Sequence, residues 1–409
     1  MNLLMFTKYY PFGKGEAFIE NEIETASEYF ENIVIIACEV GIKEDVVRKL
    51  PQNVNAFKVP RGSKVKNILC GLRYLFSADE VFNSEKTECR GLIQKIFLAY
   101  FEKKSRAIYD YIVDKGYTDN VYGKPYAIYS YWLFVTARVG LLITEGNKPV
   151  YKFTRAHRYD LYQEKNRLNY LPYRRLFLQE YENVFPCSNH GSQYLIKAFA
   201  AFEDHIKTAF LGTKDYGLSR ESRDGAFRIV SCSRIEPVKR IHRIIEALSL
   251  LKADNRGIEW IHMGGGSKLE KIRKKAEAEL HGITCTFTGA VPNSKVLEIY
   301  RNSPVDLFIN VSSSEGLPVS IMEAISFGIP VIATDVGGTS EIVIHGLTGF
   351  LIPSEFTNEE LARTIKRMYE NRDTLISRRA CREYWEQHFQ ADRNYHKMYD
   401  YLSRNYHLQ

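Results

Sequence analysis

The chain has 409 residues, a length that predicts two domains of roughly 200 residues each. Its 45% hydrophobic and 26% charged residues are those of an ordinary soluble globular protein, and no apolar run reaches the roughly 20 residues of a membrane span. The net charge of +7 predicts an anionic partner, but the basic residues are dispersed and form no recognition module, so nucleic acid is not the predicted partner.

The first half alternates strand-like and helix-like segments. Predicted strands occupy 3–7, 33–37, 54–59, 127–131, 150–154 and 184–186. Segment 64–76 predicts a helix with an apolar stripe flanked by Lys64, Lys66 and Arg73. The stripe consists of Val65, Ile68, Leu69, Leu72, Leu75 and Phe76. A basic amphipathic helix can lie on an anionic membrane, but such helices more commonly cover a core, so core packing is the favoured interpretation.

The second half is more regular, which is typical of a parallel sheet. The polar, glycine-containing segment 203–225 is the predicted linker. Predicted strands occupy 227–233, 258–263, 283–288, 306–311, 331–335 and 349–352. Predicted helices occupy 238–251, a segment ending at 280, 294–300, a segment starting at Pro318, 358–370 and 374–389.

Segment 315–323 is the most informative part of the chain because it places Glu315 and Glu323 across a predicted strand-to-helix turn. Pro318 starts the helix, so the free N–H groups of the next two residues and the helix dipole suit a phosphate group. The glutamates have different positions, so each is expected to accept hydrogen bonds from different hydroxyls of one polyhydroxylated ligand. The alternative is a solvated helix-terminal pair.

Arg234 and Lys239 follow the first strand of the second half, on the sheet edge where the helix at Pro318 begins. Two cations there can flank a diphosphate, although an exposed basic pair is the simpler alternative. Gly264 and Gly265 occupy another strand-to-helix turn and permit close backbone approach to a ligand. The chain has neither G-x-G-x-x-G at that turn nor a P-loop, so a dinucleotide oxidoreductase and a P-loop ATPase are not predicted.

Two further candidates lie in the first half. Gly13 and Gly15 form a flexible turn after the first strand that can close over a ligand, or that is an ordinary surface turn. His157 follows a predicted strand, where a lone histidine is more commonly structural. Its neighbours at that edge are Arg155, Tyr159 and Asp160.

No metal site is predicted, because the chain shows no D-x-D, H-x-x-H or cysteine–histidine cluster. Seven scattered cysteines predict reduced thiols and a cytoplasmic protein. The N-terminal apolar run is short and lacks a preceding basic region, so no signal peptide is predicted.

At these residues the chain resembles the retaining nucleotide-sugar glycosyltransferases of family 4. The resemblance is carried by an E-x7-E motif at Glu315 and Glu323, by Arg234 with Lys239, and by segments 289–292, 337–341 and 345–350. Segments 10–22 and 155–157 are similar to the branch that builds bacterial capsular, colanic-acid-like or other exopolysaccharides. The family resemblance implies an α/β protein of the GT-B fold, with two Rossmann-like parallel-sheet domains facing a central cleft.

The resemblance implies three segments: 1–205 as an acceptor-binding domain, 206–375 as a nucleotide-sugar donor-binding domain, and 376–409 as helices packing back toward the N-terminal domain. Arg234 and Lys239 are implied to neutralise the donor diphosphate. Glu323 is implied to hold the ribose and Glu315 the sugar hydroxyls. Phosphate and sugar contacts are assigned to Gly316, Leu317, Pro318, Val319 and Ser320.

The remaining implied contacts are Val291 near the base, Gly13 and Gly15 against the donor, and His157 beside the anomeric centre. The implied reaction is transfer of a sugar from a UDP- or GDP-sugar to a hydroxyl of a glycan or lipid-linked acceptor, without a metal or any other cofactor. Contact with the inner face of the cell membrane is a secondary expectation. The alternatives are a nucleotide-sugar epimerase or phosphorylase on the same fold, a non-catalytic nucleotide-sugar-binding protein, and a membrane-bound scaffold.

Overall fold

A computed structural model of the protein contains two compact units. It describes residues 1–13, 15–46, 48–119, 121, 123–144, 149–222, 224–251, 257–372 and 374–406. The first unit comprises Met1–Phe210 with Tyr395–Gln409, and the second comprises Leu211–Asn394. The chain therefore passes between units at 210/211 and 394/395, whereas the sequence had suggested 205/206 and a separate helical segment from 376. Lys14, which separates the two glycines of the N-terminal turn, lies outside the described residues.

The first unit is a parallel six-stranded sheet in the order β3-β2-β1-β4-β5-β6. Its strands are β1 (Asn2–Thr7), β2 (Asn32–Val40), β3 (Val54–Pro60), β4 (Tyr126–Ser130), β5 (Tyr151–Ala156) and β6 (Asn183–Pro186). Its helices are α1 (Ile19–Tyr29), α2 (Lys64–Gly71), α3 (Glu80–Thr87), α4 (Leu92–Asp114), α5 (Val135–Ile143), α6 (Arg158–Leu161), α7 (Arg174–Glu180) and α8 (Asn189–Ala198). Short 3-10 turns cover Leu72–Phe76, Gln163–Lys165 and Ala200–His205.

The second unit repeats this architecture, with the strand order β12-β11-β10-β7-β8-β9. Its strands are β7 (Phe227–Cys232), β8 (Ile258–Met263), β9 (Thr284–Phe287), β10 (Leu307–Asn310), β11 (Val331–Thr334) and β12 (Gly349–Ile352). Its helices are α9 (Ile241–Ser249), α10 (Leu269–Glu279), α11 (Asn293–Asn302), α12 (Val319–Ser326), α13 (Asn358–Glu370) and α14 (Arg378–His388). Two 3-10 turns cover Pro237–Lys239 and Gly337–Glu341, and α15 (Ala391–Tyr406) crosses the boundary between the units.

Both sheets have the strand order of doubly wound nucleotide-binding folds, in which the first strand lies between the second and the fourth. In the first unit β1 pairs with β2 and β4, and in the second β7 pairs with β8 and β10, all in parallel. The predicted α/β class with two Rossmann-like sheets is confirmed. Because ligands bind outside the carboxyl ends of strands at such switch points, the exits of β1, β4, β7 and β10 are the expected ligand-binding edges of the two sheets.

Helix α15 lies within segment 376–409, for which the resemblance implied helices, but the residue pattern had predicted no helix beyond 389. The apolar residues Tyr395, Met398, Tyr399 and Leu402 recur at helical spacing, and all four are buried. Only two residues, Phe389 and Gln390, separate α14 from α15. The helical period was therefore present in the sequence, but an interval of two residues gave no sequence signal for the start of a new helix. No helix among the described residues is long and apolar enough to cross a membrane.

The favoured core-packing interpretation of segment 64–76 is wrong for its most apolar residues. Val65, Leu69 and Phe76 are 66%, 65% and 91% exposed. Helix α2 instead contacts α4 through Gly71, where an added Cβ would lie 2.7 Å from the carbonyl oxygen of Ala99. This backbone-to-backbone contact turns the apolar stripe outward.

Arg155 also departs from expectation, because its side chain is fully buried and does not line the sheet edge near His157. Its Nε lies 3.1 Å from a carboxylate oxygen of Glu22 and donates to the hydroxyl of Tyr129 at 2.9 Å. Its Nη1 donates to the carbonyl of Ala209 at 2.8 Å. Arg155 therefore joins the sheet of the first unit to α1 and to the segment that leads into the second unit.

We expect Arg155→Met to destabilise the first unit by about 3–5 kcal/mol, because it leaves the Glu22 carboxylate buried without its counter-charge. Urea denaturation followed by circular dichroism measures this loss. The double variant Glu22→Met/Arg155→Met should recover most of the lost free energy of unfolding. The control Arg73→Met, at an exposed position, should leave the urea midpoint of denaturation unchanged. A single variant as stable as the wild type would contradict this account of the ion pair.

Candidate functional site

The candidate residues of the second unit follow the carboxyl ends of four adjacent strands. Arg234 and Lys239 come after β7, Gly264 and Gly265 after β8, Val291 after β9, and the segment from Glu315 to Glu323 after β10. Backbone hydrogen bonds join these loops, including Ile235 N–H to Gly265 O at 2.8 Å and Gly264 N–H to Gly289 O at 3.1 Å. The fold therefore gathers on one sheet edge residues that lie far apart in sequence.

Lys239 and Glu315 form an ion pair across the switch point. The Lys239 Nζ lies 2.6 Å from Glu315 Oε1, and both side chains are largely buried. Arg234 is exposed, and among the described residues it forms no ion pair. An ammonium group has three donors, so Lys239 can keep Glu315 and still donate to an anionic ligand. Beside this pair, Arg234 supplies a positive charge that no carboxylate of the described residues neutralises.

The start of α12 completes the anion-binding edge. Pro318 is the residue before the first helical residue, so Val319 and Ser320 occupy the first turn and are partly exposed. Their N–H groups point out of the helix end, where the dipole favours negative charge. The loop before it is held by the hydrogen bond from Gly338 N–H to Gly316 O at 2.7 Å. Gly337 is required beneath this loop, since an added Cβ would lie 2.1 Å from the Glu315 carbonyl oxygen.

Gly264 is required for packing within the site. It has a φ of +149°, and an added Cβ would lie 1.8 Å from the Ser233 carbonyl oxygen. At Gly265 an added Cβ would lie 2.9 Å from the Ala290 nitrogen. Both glycines therefore let the loop after β8 contact the loops after β7 and β9. Packing between loops accounts for these glycines equally well as close approach of a ligand.

Glu323 lies in α12 and is buried. Its Oε1 accepts a hydrogen bond from Asn293 Nδ2 at 2.7 Å. Burial raises its pKa to about 7, although the bond from Asn293 opposes the rise. Hydroxyl groups that donate hydrogen bonds to a buried carboxylate favour its ionised form and lower its pKa. Val291 lies two residues before Asn293, on the loop that supplies this partner.

Three residues of this site were missed by the sequence interpretation. Asn310 ends β10, where its Nδ2 donates to Glu315 Oε1 at 3.3 Å and its Oδ1 accepts from Ser312 N–H at 3.1 Å. Asn293 holds Glu323 as described above. Arg240 donates to the carbonyls of Val311, Ser312 and Ser354, so it fixes the loop after β10 and does not face a ligand. An asparagine ending a buried strand was the signal available for Asn310.

In the first unit, Glu16 organises the turn that contains Gly13 and Gly15. Its carboxylate accepts from the N–H groups of Tyr9 and Tyr10 at 2.5 and 2.6 Å, and from the indole N–H of Trp132. Gly13 has a φ of +61°, and an added Cβ would lie 2.9 Å from a Glu44 oxygen. Gly13 is thus closely packed, and Glu16 is a residue that the sequence interpretation missed.

His157 is the residue before α6, with 8% of its surface exposed. The carboxylate of Asp160 accepts from His157 N–H and from Leu133 N–H, both at 2.7 Å, and so joins the exits of β5 and β4. Burial raises the pKa of Asp160 to about 7. Burial, assisted by the charge of Arg155, holds the pKa of His157 well below its ordinary value. The imidazole is therefore neutral at pH 7.

Among the described residues, no group of three or more histidine, cysteine, aspartate or glutamate side chains is arranged to hold a metal ion. The seven cysteines are free thiols. Cys232 ends β7 beside Glu323 and Lys239, and burial raises its pKa to about 12. It is therefore an uncharged neighbour of the site.

Comparison with known proteins identifies a domain. Residues 218–388 match the protein-family model for glycosyl transferases group 1. The amylovoran biosynthesis glycosyltransferase AmsK of Erwinia amylovora is 27% identical over 212 residues, which cover 50% of this chain and 51% of AmsK. A GDP-mannose-dependent alpha-(1-6)-phosphatidylinositol monomannoside mannosyltransferase of Mycobacterium tuberculosis is 28% identical over 164 residues, which cover 38% of this chain and 42% of that enzyme. The chain spans about half or less of the length of these curated relatives.

A solved structure of Anabaena Alr3699/HepE in complex with UDP and glucose has a TM-score of 0.66 to this chain at 17% identity. The match covers 99% of this chain and 100% of that one. The predicted GT-B fold is confirmed by this likeness and by the two Rossmann-like sheets. Residues 218–388 are a glycosyltransferase group 1 domain, which contains every second-unit candidate from Arg234 to Glu323.

Proposed function

We propose that this protein is a retaining glycosyltransferase that moves a sugar from a UDP- or GDP-sugar to a hydroxyl of a glycan or lipid-linked acceptor in bacterial cell-surface polysaccharide biosynthesis. The observation that carries the proposal is the cluster at the β7/β10 switch point. Arg234, the Lys239–Glu315 pair and the first turn of α12 lie there along one sheet edge of a glycosyltransferase group 1 domain.

In the proposed reaction the acceptor oxygen forms a bond to the anomeric carbon while the bond from that carbon to the diphosphate breaks. Negative charge grows on the leaving diphosphate, where Arg234, Lys239 and the N-terminus of α12 stabilise it. The departing phosphate oxygen takes the proton of the acceptor hydroxyl. Attack on the face from which the diphosphate leaves retains the anomeric configuration.

Each remaining residue has a proposed role in donor binding. The carboxylate of Glu323 accepts from the ribose hydroxyls, and Glu315 accepts from hydroxyls of the transferred sugar while keeping Lys239 in place. Backbone groups of Gly316, Leu317 and Ser320 bind phosphate and sugar. Val291 contacts the base. The cations of the site supply the charge neutralisation, and no metal is part of the proposal.

His157, Gly13 and Gly15 of the first unit are proposed to serve the same reaction. His157 is neutral and its ring nitrogens lack hydrogen-bond partners among the described residues, so it can accept from or donate to a sugar hydroxyl. His157→Ala should lower transfer while leaving UDP or GDP binding unchanged. Equal transfer by variant and wild type would remove His157 from the proposal.

A thermal-shift screen of nucleotide sugars identifies the donor, because a ligand that binds only the folded state raises the melting temperature. The donor is then incubated with and without membrane-extracted glycans, and the product is examined by NMR. A new glycoside that keeps the donor's anomeric configuration supports the proposal. An altered free sugar without acceptor would indicate an epimerase, and binding without any turnover would indicate a non-catalytic protein.

Contact with the inner face of the cell membrane is proposed as an accessory property, because apolar side chains on α2, on the 3-10 turn after it and at the start of α4 are exposed. We define the α2/α4 patch as Val65, Leu69, Leu72, Phe76, Leu92 and Ile93, each at least 36% exposed. Helices α2 and α4 pack together, and Lys64, Lys66 and Arg73 lie beside the patch on α2 and the following turn. Apolar side chains flanked by basic residues fit an anionic lipid surface.

Leu69→Asp should abolish flotation of the protein with vesicles that contain anionic phospholipid, because it places a negative charge within the patch. Nucleotide binding should persist. The matched control is Leu250→Asp, an exposed leucine of the second unit at 52%, which should float like the wild type. A wild-type protein that does not float, or a variant that floats equally, would contradict membrane contact through this patch.

A further inference from the structure

Aromatic rings pack on His157 at the switch point of the first unit. The ring of Trp132 lies 4.5 Å from that of His157 and 5.0 Å from that of Tyr159, measured between centroids. The ring of Tyr131 stacks on His157 at 5.1 Å. These residues follow the carboxyl ends of β4 and β5, so they occupy the ligand-binding edge of this sheet.

Two of these rings are accessible. Tyr159 is 36% exposed and Trp132 is partly exposed, whereas the other two tryptophans of the chain, Trp260 and Trp385, are fully buried. The indole of Trp132 is fixed by its hydrogen bond to the buried Glu16. An oriented, accessible aromatic ring offers an apolar face to the C–H groups of a sugar ring.

Lys8 places an ammonium group near the accessible rings. The Lys8 Nζ lies 5.7 Å from the Tyr159 ring centroid and 5.1 Å from that of Tyr9. Among the described residues, Lys8 forms no ion pair. The carboxylate of Glu16 is taken up by backbone N–H groups and Trp132, and Glu39 pairs with Lys104 at 2.7 Å. The ammonium group of Lys8 is thus available to a ligand.

Buried polar atoms without hydrogen-bond partners among the described residues lie in the same aromatic group. Both ring nitrogens of His157 and the hydroxyl of Tyr131 are buried and have no hydrogen-bond partner among the described residues. Their side chains are 8% and 0% exposed. A buried polar group without a partner carries a free-energy penalty of about 1–3 kcal/mol. A ligand whose hydroxyl groups form hydrogen bonds with these atoms would remove this penalty.

We propose that Lys8, Trp132 and Tyr159 form an acceptor subsite for a sugar ring that carries an anionic group. The sugar ring stacks on Trp132 and Tyr159, and the anionic group pairs with Lys8. This inference rests on the proposed glycosyltransferase function and narrows its acceptor class. The anionic group has two chemical sources, a uronate carboxylate or a glycosyl phosphate.

The fluorescence of Trp132 tests the subsite directly, since the other two tryptophans are buried in the second unit. The probes are methyl glucuronide, glucose 1-phosphate and methyl glucoside, titrated into the intact protein saturated with UDP or GDP. We expect saturable changes with an anionic probe at a concentration at least about tenfold lower than with the neutral glucoside, a difference equivalent to one charge-assisted contact. The more effective anionic probe identifies the source.

Variants separate the contributions. Lys8→Met should remove the preference for the anionic probe, Tyr159→Ala should weaken all three probes, and Trp132→Phe should abolish the signal. Lys43→Met, at an exposed position of the same unit, is the matched control and should behave like the wild type. No saturable change, equal affinity for charged and neutral probes, or an unaltered preference in Lys8→Met would overturn the proposal.

The nucleotide titration keeps this test distinct from that of the proposed function. If the wild type binds UDP or GDP but no anionic sugar, the acceptor subsite fails while the donor site stands. If it binds neither nucleotide, the proposed function fails. Loss of nucleotide binding in Lys8→Met would place Lys8 in the donor site and would also overturn the subsite.

Discussion

Replacement of Lys239 by alanine is expected to lower kcat/KM for sugar transfer by about 10²–10³-fold, comparable to removal of one preorganised donor from a developing oxyanion, about 2.7–4 kcal/mol. The substitution has two consequences. It removes a cation that stabilises the leaving diphosphate, and it leaves the largely buried Glu315 carboxylate without its partner at 2.6 Å. The measurement is steady-state transfer with the donor identified by the thermal-shift screen.

The matched control is Lys295→Ala, because Lys295 lies in the same unit but is 51% exposed and, among the described residues, forms its ion pair with Glu298 on its own helix. Its kcat/KM should stay within twofold of the wild-type value. A second variant, Glu315→Gln, keeps the shape of the side chain and removes the ion pair while leaving Lys239 in place. Wild-type kinetics in Lys239→Ala would remove the Lys239–Glu315 pair from the catalytic account.

The affinity for the nucleotide sugar is expected to increase as the pH rises toward 8, because Glu323 must ionise to accept the ribose hydroxyls. Burial raises its pKa to about 7 in the unliganded protein. Below that pH, binding requires loss of the Glu323 proton, so the dissociation constant should fall by up to about tenfold for each pH unit gained and then level off. Calorimetric titrations between pH 5.5 and 8.5 measure this dependence.

The stability of the unliganded protein should show the opposite trend. Since the folded pKa of Glu323 exceeds its ordinary value, its contribution to the free energy of unfolding is complete at low pH and is lost as the pH rises through about 7. Glu323→Gln should flatten the binding profile and weaken the pH dependence of stability, to which buried Asp160 also contributes, and the exposed control Glu298→Gln should preserve both profiles. Retention of the wild-type binding profile in Glu323→Gln would assign the proton to another group.

Several parts of the fold and of the candidate site were readable from sequence because they depend on local pattern. Regular alternation of strands and helices predicted the second Rossmann-like sheet, and the proline before α12 placed the helix terminus close to Val319. The glycines after β8 were recognised as a place of close approach. Adjacent carboxyl ends in a parallel sheet then brought Arg234 and Lys239 to the same edge as Glu315.

The parts that could not be predicted depend on contacts between distant residues. Lys239 and Glu315 are 76 residues apart, so their ion pair has no local signature. The burial of Arg155 depends on Glu22, another long-range partner. The outward orientation of the 64–76 stripe follows from the contact of Gly71 with α4, which periodicity alone does not encode. Helical period predicts that one face differs from the other, but the packing partner decides which face is covered.

The same reasoning explains why Glu16 was missed. Nothing in the local sequence distinguishes it, and only its hydrogen bond from Trp132, across 116 residues, shows that the N-terminal turn and the exit of β4 are joined. His157 was identified from its position after β5, and its lack of hydrogen-bond partners became visible only in three dimensions.

The central claim is that the β7/β10 switch point of the second unit binds a nucleotide diphosphate, and calorimetric titration of UDP and GDP tests it most directly. The wild type and the Arg234→Ala/Lys239→Ala double variant are compared, with Lys295→Ala as the control. The account predicts saturable binding of one of the two nucleotides to the wild type and to the control, and a loss of at least about a hundredfold in affinity in the double variant, as expected for two charge-assisted contacts. Binding of neither nucleotide to the wild type, or equal affinity in the double variant, would contradict it.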